Sequence, residues 1–179
     1  MNELKRFGAL WASMALASAL TSCGGGGAAS SGTALTPQEQ IAQLEASGAL
    51  PLLDRTNSIA GIDANANGVR DDIERYIEKK YTVAEQAAAM QMARAFQQML
   101  LVDKQDAGAL DAVSELGSRA IVCGASVFAG PDASVELSRM TTTLESMTTN
   151  TKLRLLAYLA YNKARSGSVS TMPKGPSCD

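Results

Sequence analysis

Between Asp63 and Glu74 the chain reads DANANGVRDDIE, with an oxygen-bearing side chain at every second place until a glycine interrupts the series. Asp63, Asn65 and Asn67 fill positions 1, 3 and 5 of a calcium-type loop, Gly68 stands at position 6 where the backbone must turn sharply, and Glu74 closes it at position 12. Calcium is a hard cation that takes six to eight oxygens, and alternate positions of a curling backbone point their side chains inward. The Val69 carbonyl would add a backbone oxygen, Asp71 would bind directly or through water, and Glu74 would offer both carboxylate oxygens. The same acids lie in the first turn of the helix expected to follow, where the helix dipole favours negative charge. The bare alternative is an Asx-rich turn that caps this helix and holds no ion.

These residues resemble the EF-hand loop, and equally the calcium repeats of the thrombospondin type 3 kind and related bacterial loops. The resemblance covers a dozen residues and implies a metal. It departs from the EF-hand at position 8, where a branched apolar residue that pairs with a partner loop is replaced by Arg70, with the apolar Val69 one place earlier. No second loop of this kind occurs in the sequence, so a lone structural calcium is expected rather than a paired-loop sensor. With three anionic side chains among the ligands, the expected affinity is modest, about 10⁻⁴ M, as in extracellular modules.

The amino terminus sets the compartment. Lys5 and Arg6 precede an apolar run from Phe7 to Leu20, a charged start and core of the length of a secretory signal and short of the ~20 residues of a spanning helix. The following LTSC, ending at Cys23, resembles the bacterial lipobox, which implies cleavage before Cys23, thioether lipidation of its sulfur and acylation of the new terminus. Several acyl chains would anchor the protein in a lipid membrane, and Gly24 after the cysteine directs the family's sorting toward the outer membrane. An ordinary signal peptide cut nearby is the alternative. Residues 1–22 are thus read as a lipoprotein signal peptide and 23–35 as the lipidated cysteine with a flexible Gly/Ser tether. A single domain follows over 36–179.

With Cys23 lipidated, Cys123 and Cys178 remain as one pair, which an oxidising compartment favours bridging; two unrelated thiols are the alternative. The formal charge of −2 and the lack of a basic stripe argue against nucleic acid as a partner, and against an electrostatic grip on anionic lipid.

The elements that must carry these residues read as helices almost throughout. Thr36, Pro37 and Glu39 form a capping box, with Ile41 and Leu44 as an apolar face and Gly48 as a stop. The stretch from Ala49 to Ile62 reads as irregular, with Leu50, Leu52, Leu53 and Ile59 as core contacts. After the loop, Ile73, Tyr76, Ile77 and Tyr81 recur at helical spacing. A second box, Thr82 to Glu85, opens a long helix with Val83, Ala87, Met90, Ala93, Phe96 or Gln97, and Leu100 on one side. Asp106 to Cys123 is another helix, ended by the glycines of CGASVFAG, and Pro131 starts one carrying Leu137, Met140, Leu144 and Met147. Thr149 or Asn150 would cap the last, whose stripe is Leu153, Leu156, Ala157, Ala160 and Ala164, with Tyr158 and Tyr161 on its wet flank. The fold class is therefore all-α, an irregular bundle of about five or six helices with the calcium-type loop before one of them.

Absences limit the chemistry. Without a histidine there is no Ser/His or Cys/His pair and no imidazole-held zinc, and no glycine-rich phosphate loop or nucleophile elbow appears. The chain reads as a lipid-anchored, non-catalytic cell-envelope protein with one structural calcium, an interaction or structural module with an envelope protein as partner. One alternative is a carrier whose Met-rich helices (Met90, Met99, Met140, Met147) enclose an apolar ligand. Another is a hydrolase working through Asp and Glu.

Overall fold

The computed structural model describes residues 34–175 and 177–179; the expected signal, Cys23 and the expected tether up to residue 33 lie outside the described residues. Six helices follow one another: α1 (Pro37–Ala46), α2 (Asp71–Lys80), α3 (Val83–Leu101), α4 (Ala107–Val127), α5 (Ala133–Thr148) and α6 (Lys152–Ala164). No strand interrupts them among the described residues, so the chain is an all-α bundle. Thr36–Asp179 is a compact unit whose core lies among its own residues.

The helix starts follow local chemistry. At α1 the Thr36 hydroxyl accepts from the Glu39 amide at 3.3 Å, while the Glu39 carboxylate accepts from the Thr36 amide at 2.7 Å, which satisfies two otherwise orphaned donors. The Glu85 carboxylate receives the Thr82 amide at 2.9 Å, and Asp106 caps α4 by accepting from the Ala109 amide at 3.0 Å. The cap of α6 is Thr151, whose hydroxyl accepts from the Arg154 amide at 3.3 Å. Thr149 instead ends α5, and the Asn150 side chain is drawn into the network described below.

Helix α3 is the axis of the bundle. It packs most heavily on α4, then on α5, α6 and α2, and it is buried around much of its circumference. Alanines 88, 89, 93 and 95 let its neighbours approach closely, while Met92, Phe96 and Leu100 fill the spaces between them. Val69, Ile73, Ile77, Met140, Leu144 and Met147 close the main core around α3. A smaller cluster joins Leu110 and Val113 of α4 to Tyr161 of α6.

Several faces differ from the expected ones. Val83, the first residue of α3, projects into solvent. The fourth helix does not stop at its glycines. Gly124 lies inside it, and a Cβ there would come within 2.5 Å of Leu137 Cδ1, so this glycine serves the close approach of α5 rather than a chain break. The apolar stripe of α6 is turned outward: Leu153, Leu155, Leu156 and Leu159 are exposed, whereas Arg154 and Tyr161 are buried. Tyr158 meets Phe96 edge-on at 6.3 Å instead of forming a wet flank. Of the segment before the loop, Leu53 packs on the core but Leu50 and Leu52 are exposed.

The Cys123 and Cys178 sulfurs lie at disulfide distance, 2.08 Å. Around them the tail is held to α3: the Gln91 side chain donates to the Ser177 carbonyl at 2.7 Å and accepts from the Asp179 amide at 3.2 Å, and Arg94 pairs with Asp179 at 3.0 Å. Among the described residues no helix is long and apolar enough to cross a membrane.

Candidate metal centre

The loop from Asp63 to Glu74 is closed by its own polar side chains. Asp63 accepts from the amides of Asn67 at 3.2 Å and Gly68 at 2.9 Å. Asn65 and Asn67 each fold back in an Asx-turn, their carbonyl oxygens accepting from the amides of Asn67 (3.1 Å) and Val69 (2.9 Å). Gly68 holds φ +84°, which a glycine adopts without steric cost, and Ala66 enters the same left-handed region at φ +55°. Across the loop, the Asn65 and Asn67 amide nitrogens donate to the Glu74 carboxylate at 3.1 and 2.7 Å. Positions 1, 3, 5 and 12 thereby share one small volume.

Asp71 at position 9 accepts from the Ala64 amide at 2.9 Å and so braces the loop entrance. Val69 is buried in the main core. Among the described residues no three carboxylate, cysteine or histidine side chains gather as a metal-holding group. The physical reason lies in the donor set: of the four convergent side chains two are carboxamides, and their nitrogens stand against Glu74. Each carboxamide oxygen has two lone pairs, of which the Asx-turn uses one, so the oxygens that a hard cation needs are within the loop. The residue types fit calcium.

Arg70 is the residue that sequence reasoning undervalued. It is fully buried, and it turns away from the loop into the bundle. Its guanidinium grips Asp72 with two hydrogen bonds, 2.9 Å from Nε and 2.6 Å from Nη2, and donates to the last carbonyls of α5 at Met147 and Thr148, both at 3.3 Å. A cation at a helix carboxyl end satisfies orphaned carbonyls and complements the dipole. Position 8, which in a paired loop would face a second loop, here fastens the loop to α5.

A second buried arginine, Arg154, extends the network. It donates through Nε to the Ser58 carbonyl at 3.1 Å and through Nη1 to Asn150 Oδ1 at 2.8 Å, and it lies 3.3 Å from Asp54 as an ion pair. Asp54 in turn accepts from the amides of Thr56 at 2.7 Å and Ile62 at 2.9 Å, while its own amide donates to Asp72 at 2.7 Å. Burial alone would push the Asp54 carboxyl upward, but the hydrogen bonds from Thr56 and Ile62 and the charge of Arg154 outweigh it and bring its pKa down to about 2. Gly61, at φ +72°, sits against both guanidiniums: a Cβ there would lie 2.5 Å from Arg70 Cδ and 2.9 Å from Arg154 Nη2. Two arginines and two aspartates thus tie the segment before the loop to α2, α5 and α6. The only sequence sign of this was a basic residue at an apolar loop position.

Comparison of the chain with protein-family models, with curated proteins and with solved structures gives no match.

Proposed function

We propose that this chain is a non-catalytic cell-envelope protein, lipid-anchored through Cys23, in which one calcium ion fixes the loop 63–74 at the root of the helical bundle and leaves the bundle to engage an envelope partner. Asp63, Asn65, Asn67, the Val69 carbonyl, Asp71 and Glu74 would hold the ion. When bound, calcium supplies charge neutralisation and geometric constraint rather than chemistry. The observation that carries the reading is the convergence of Asp63, Asn65, Asn67 and Glu74 while Val69 and Arg70, between them, are buried in the bundle. Order imposed on the loop is thereby transmitted to the ends of α2 and α5.

Calcium titration of the Thr36–Asp179 unit tests it, followed by calorimetry and by melting temperature. At a calcium concentration one hundred times a Kd of about 10⁻⁴ M, stabilisation by about 2.7 kcal/mol is expected, and Glu74→Ala should abolish it. An unchanged melting curve at millimolar calcium would remove the metal from the reading. The anchor has its own check: intact-mass measurement of membrane-extracted protein should show lipid on Cys23 and none on Cys23→Ser. The methionines of the carrier alternative pack into the core, with Met140 and Met147 buried and Met90 and Met99 against them, which supports the module over a ligand cavity.

A further inference from the structure

A groove of about 410 Å³ opens between the turn after α1 and the outer face of α2. Leu50, Pro51, Leu52 and Tyr76 give it an apolar wall, and Arg75, Lys79 and Lys80 bring three cations to it. Its charges are not balanced. The two carboxylates in its lining are already neutralised from elsewhere: Glu45 pairs with Arg55 at 2.7 Å and Asp72 with buried Arg70 at 2.6 Å. Among the described residues, Arg75, Lys79 and Lys80 have no ion pair and no side-chain hydrogen bond. Glu74 and Glu78 of the same helix do not line the groove. Three unpaired cations therefore border exposed Leu50 and Leu52, with exposed Leu44 on neighbouring α1.

From this juxtaposition we infer that the groove is a docking site for anionic phospholipid at a bilayer surface, with the phosphate held by Arg75, Lys79 and Lys80 and the first acyl methylenes against Leu50, Leu52 and Tyr76. A phosphodiester carries one negative charge joined to an apolar chain, the pairing that this surface offers in reverse. Residues 24–33 contain no charged side chain and cannot neutralise the groove, and a second copy meeting it face to face would present the same positive surface. The inference rests on the lipid-anchored reading only for the nearness of a bilayer. Composition alone, with a charge of −2 and no basic stripe, argues against a grip on anionic lipid, but the fold gathers Arg75, Lys79 and Lys80 at one groove, and screening limits the relevant field to about 8 Å at physiological salt.

The test uses the Thr36–Asp179 unit, which lacks Cys23, so its outcome is separate from that of the anchor. Cosedimentation with phosphatidylcholine vesicles is compared with and without phosphatidylglycerol. Binding to the anionic vesicles alone is expected, weakened by salt and reduced about a hundredfold in the triple variant Arg75→Gln, Lys79→Gln, Lys80→Gln. Because all three side chains are exposed, the variant should keep the parent melting temperature. Leu52→Ser should weaken binding while leaving its salt dependence unchanged. Equal binding with and without phosphatidylglycerol would overturn the proposal. So would a triple variant as tight as the parent, or complete displacement by an acidic peptide or glycerol phosphate at low concentration, which would assign the cations to a soluble anion.

Discussion

At the residue scale, Arg70 explains why the loop looks like a half of something. A residue that would join two loops in a pair is used instead to join one loop to a bundle, and the exchange requires burying a full charge. Such burial is tolerated only with complete pairing, which Asp72 and the α5 carbonyls provide. The neighbouring carboxylate gives a pH signature. Asp54 titrates near 2 in the fold against 3.8 when free, so its contribution to stability is complete above about pH 4 and is lost as the pH falls toward 2. Asp72, which burial pushes up but Arg70 and the Asp54 amide hold below its ordinary value, acts in the same direction. Urea midpoints measured through this interval should fall steeply for the parent and less steeply for Asp54→Asn, which begins less stable. A parent with a flat profile would show that the network contributes nothing.

At the element scale, the boundaries were largely legible because caps are local chemistry: Thr36 with Glu39 and Thr82 with Glu85 announced α1 and α3, and Asp106 announced α4. The buried faces were less legible where a polar side chain takes the core position. In α6 the leucines suggested the inward stripe, yet the requirement to bury Arg154 beside Asp54 rotates the helix so that Tyr161 enters the core and the leucines face out. Periodicity counts apolar residues and cannot see a paired arginine. This rotation predicts unequal mutants: Tyr161→Ala should cost about 3 kcal/mol, while Leu156→Gln should stay within about 0.5 kcal/mol. Chemical denaturation of both variants decides it, and reversed magnitudes would put the leucines inside. The residue types of 63–74 announced a polar turn ahead of α2, but its attachment to α5 was not legible, since Arg70 and Met147 are distant in sequence.

At the scale of the molecule, long-range ties compensate for a carboxyl-terminal stretch whose described residues after α6 form no helix or strand. The pair Cys123–Cys178 closes 55 residues of chain, a constraint worth about 4 kcal/mol in the chain-entropy treatment. Replacing both cysteines by serine should lower the stability of the Thr36–Asp179 unit by about that amount, read from denaturant midpoints, whereas reductant should leave the double variant unaffected. An unchanged midpoint would mean that the Gln91 and Arg94 contacts hold the tail unaided. The centrality of α3 reaches further. A pillar that four other helices lean on cannot be uncovered a little at a time, for removing any one neighbour strips apolar surface that the remaining three do not shelter. Damage at the rim of these helices, whether by a protease or an oxidant, will therefore leave the five packed helices either whole or wholly unravelled, with few half-open survivors.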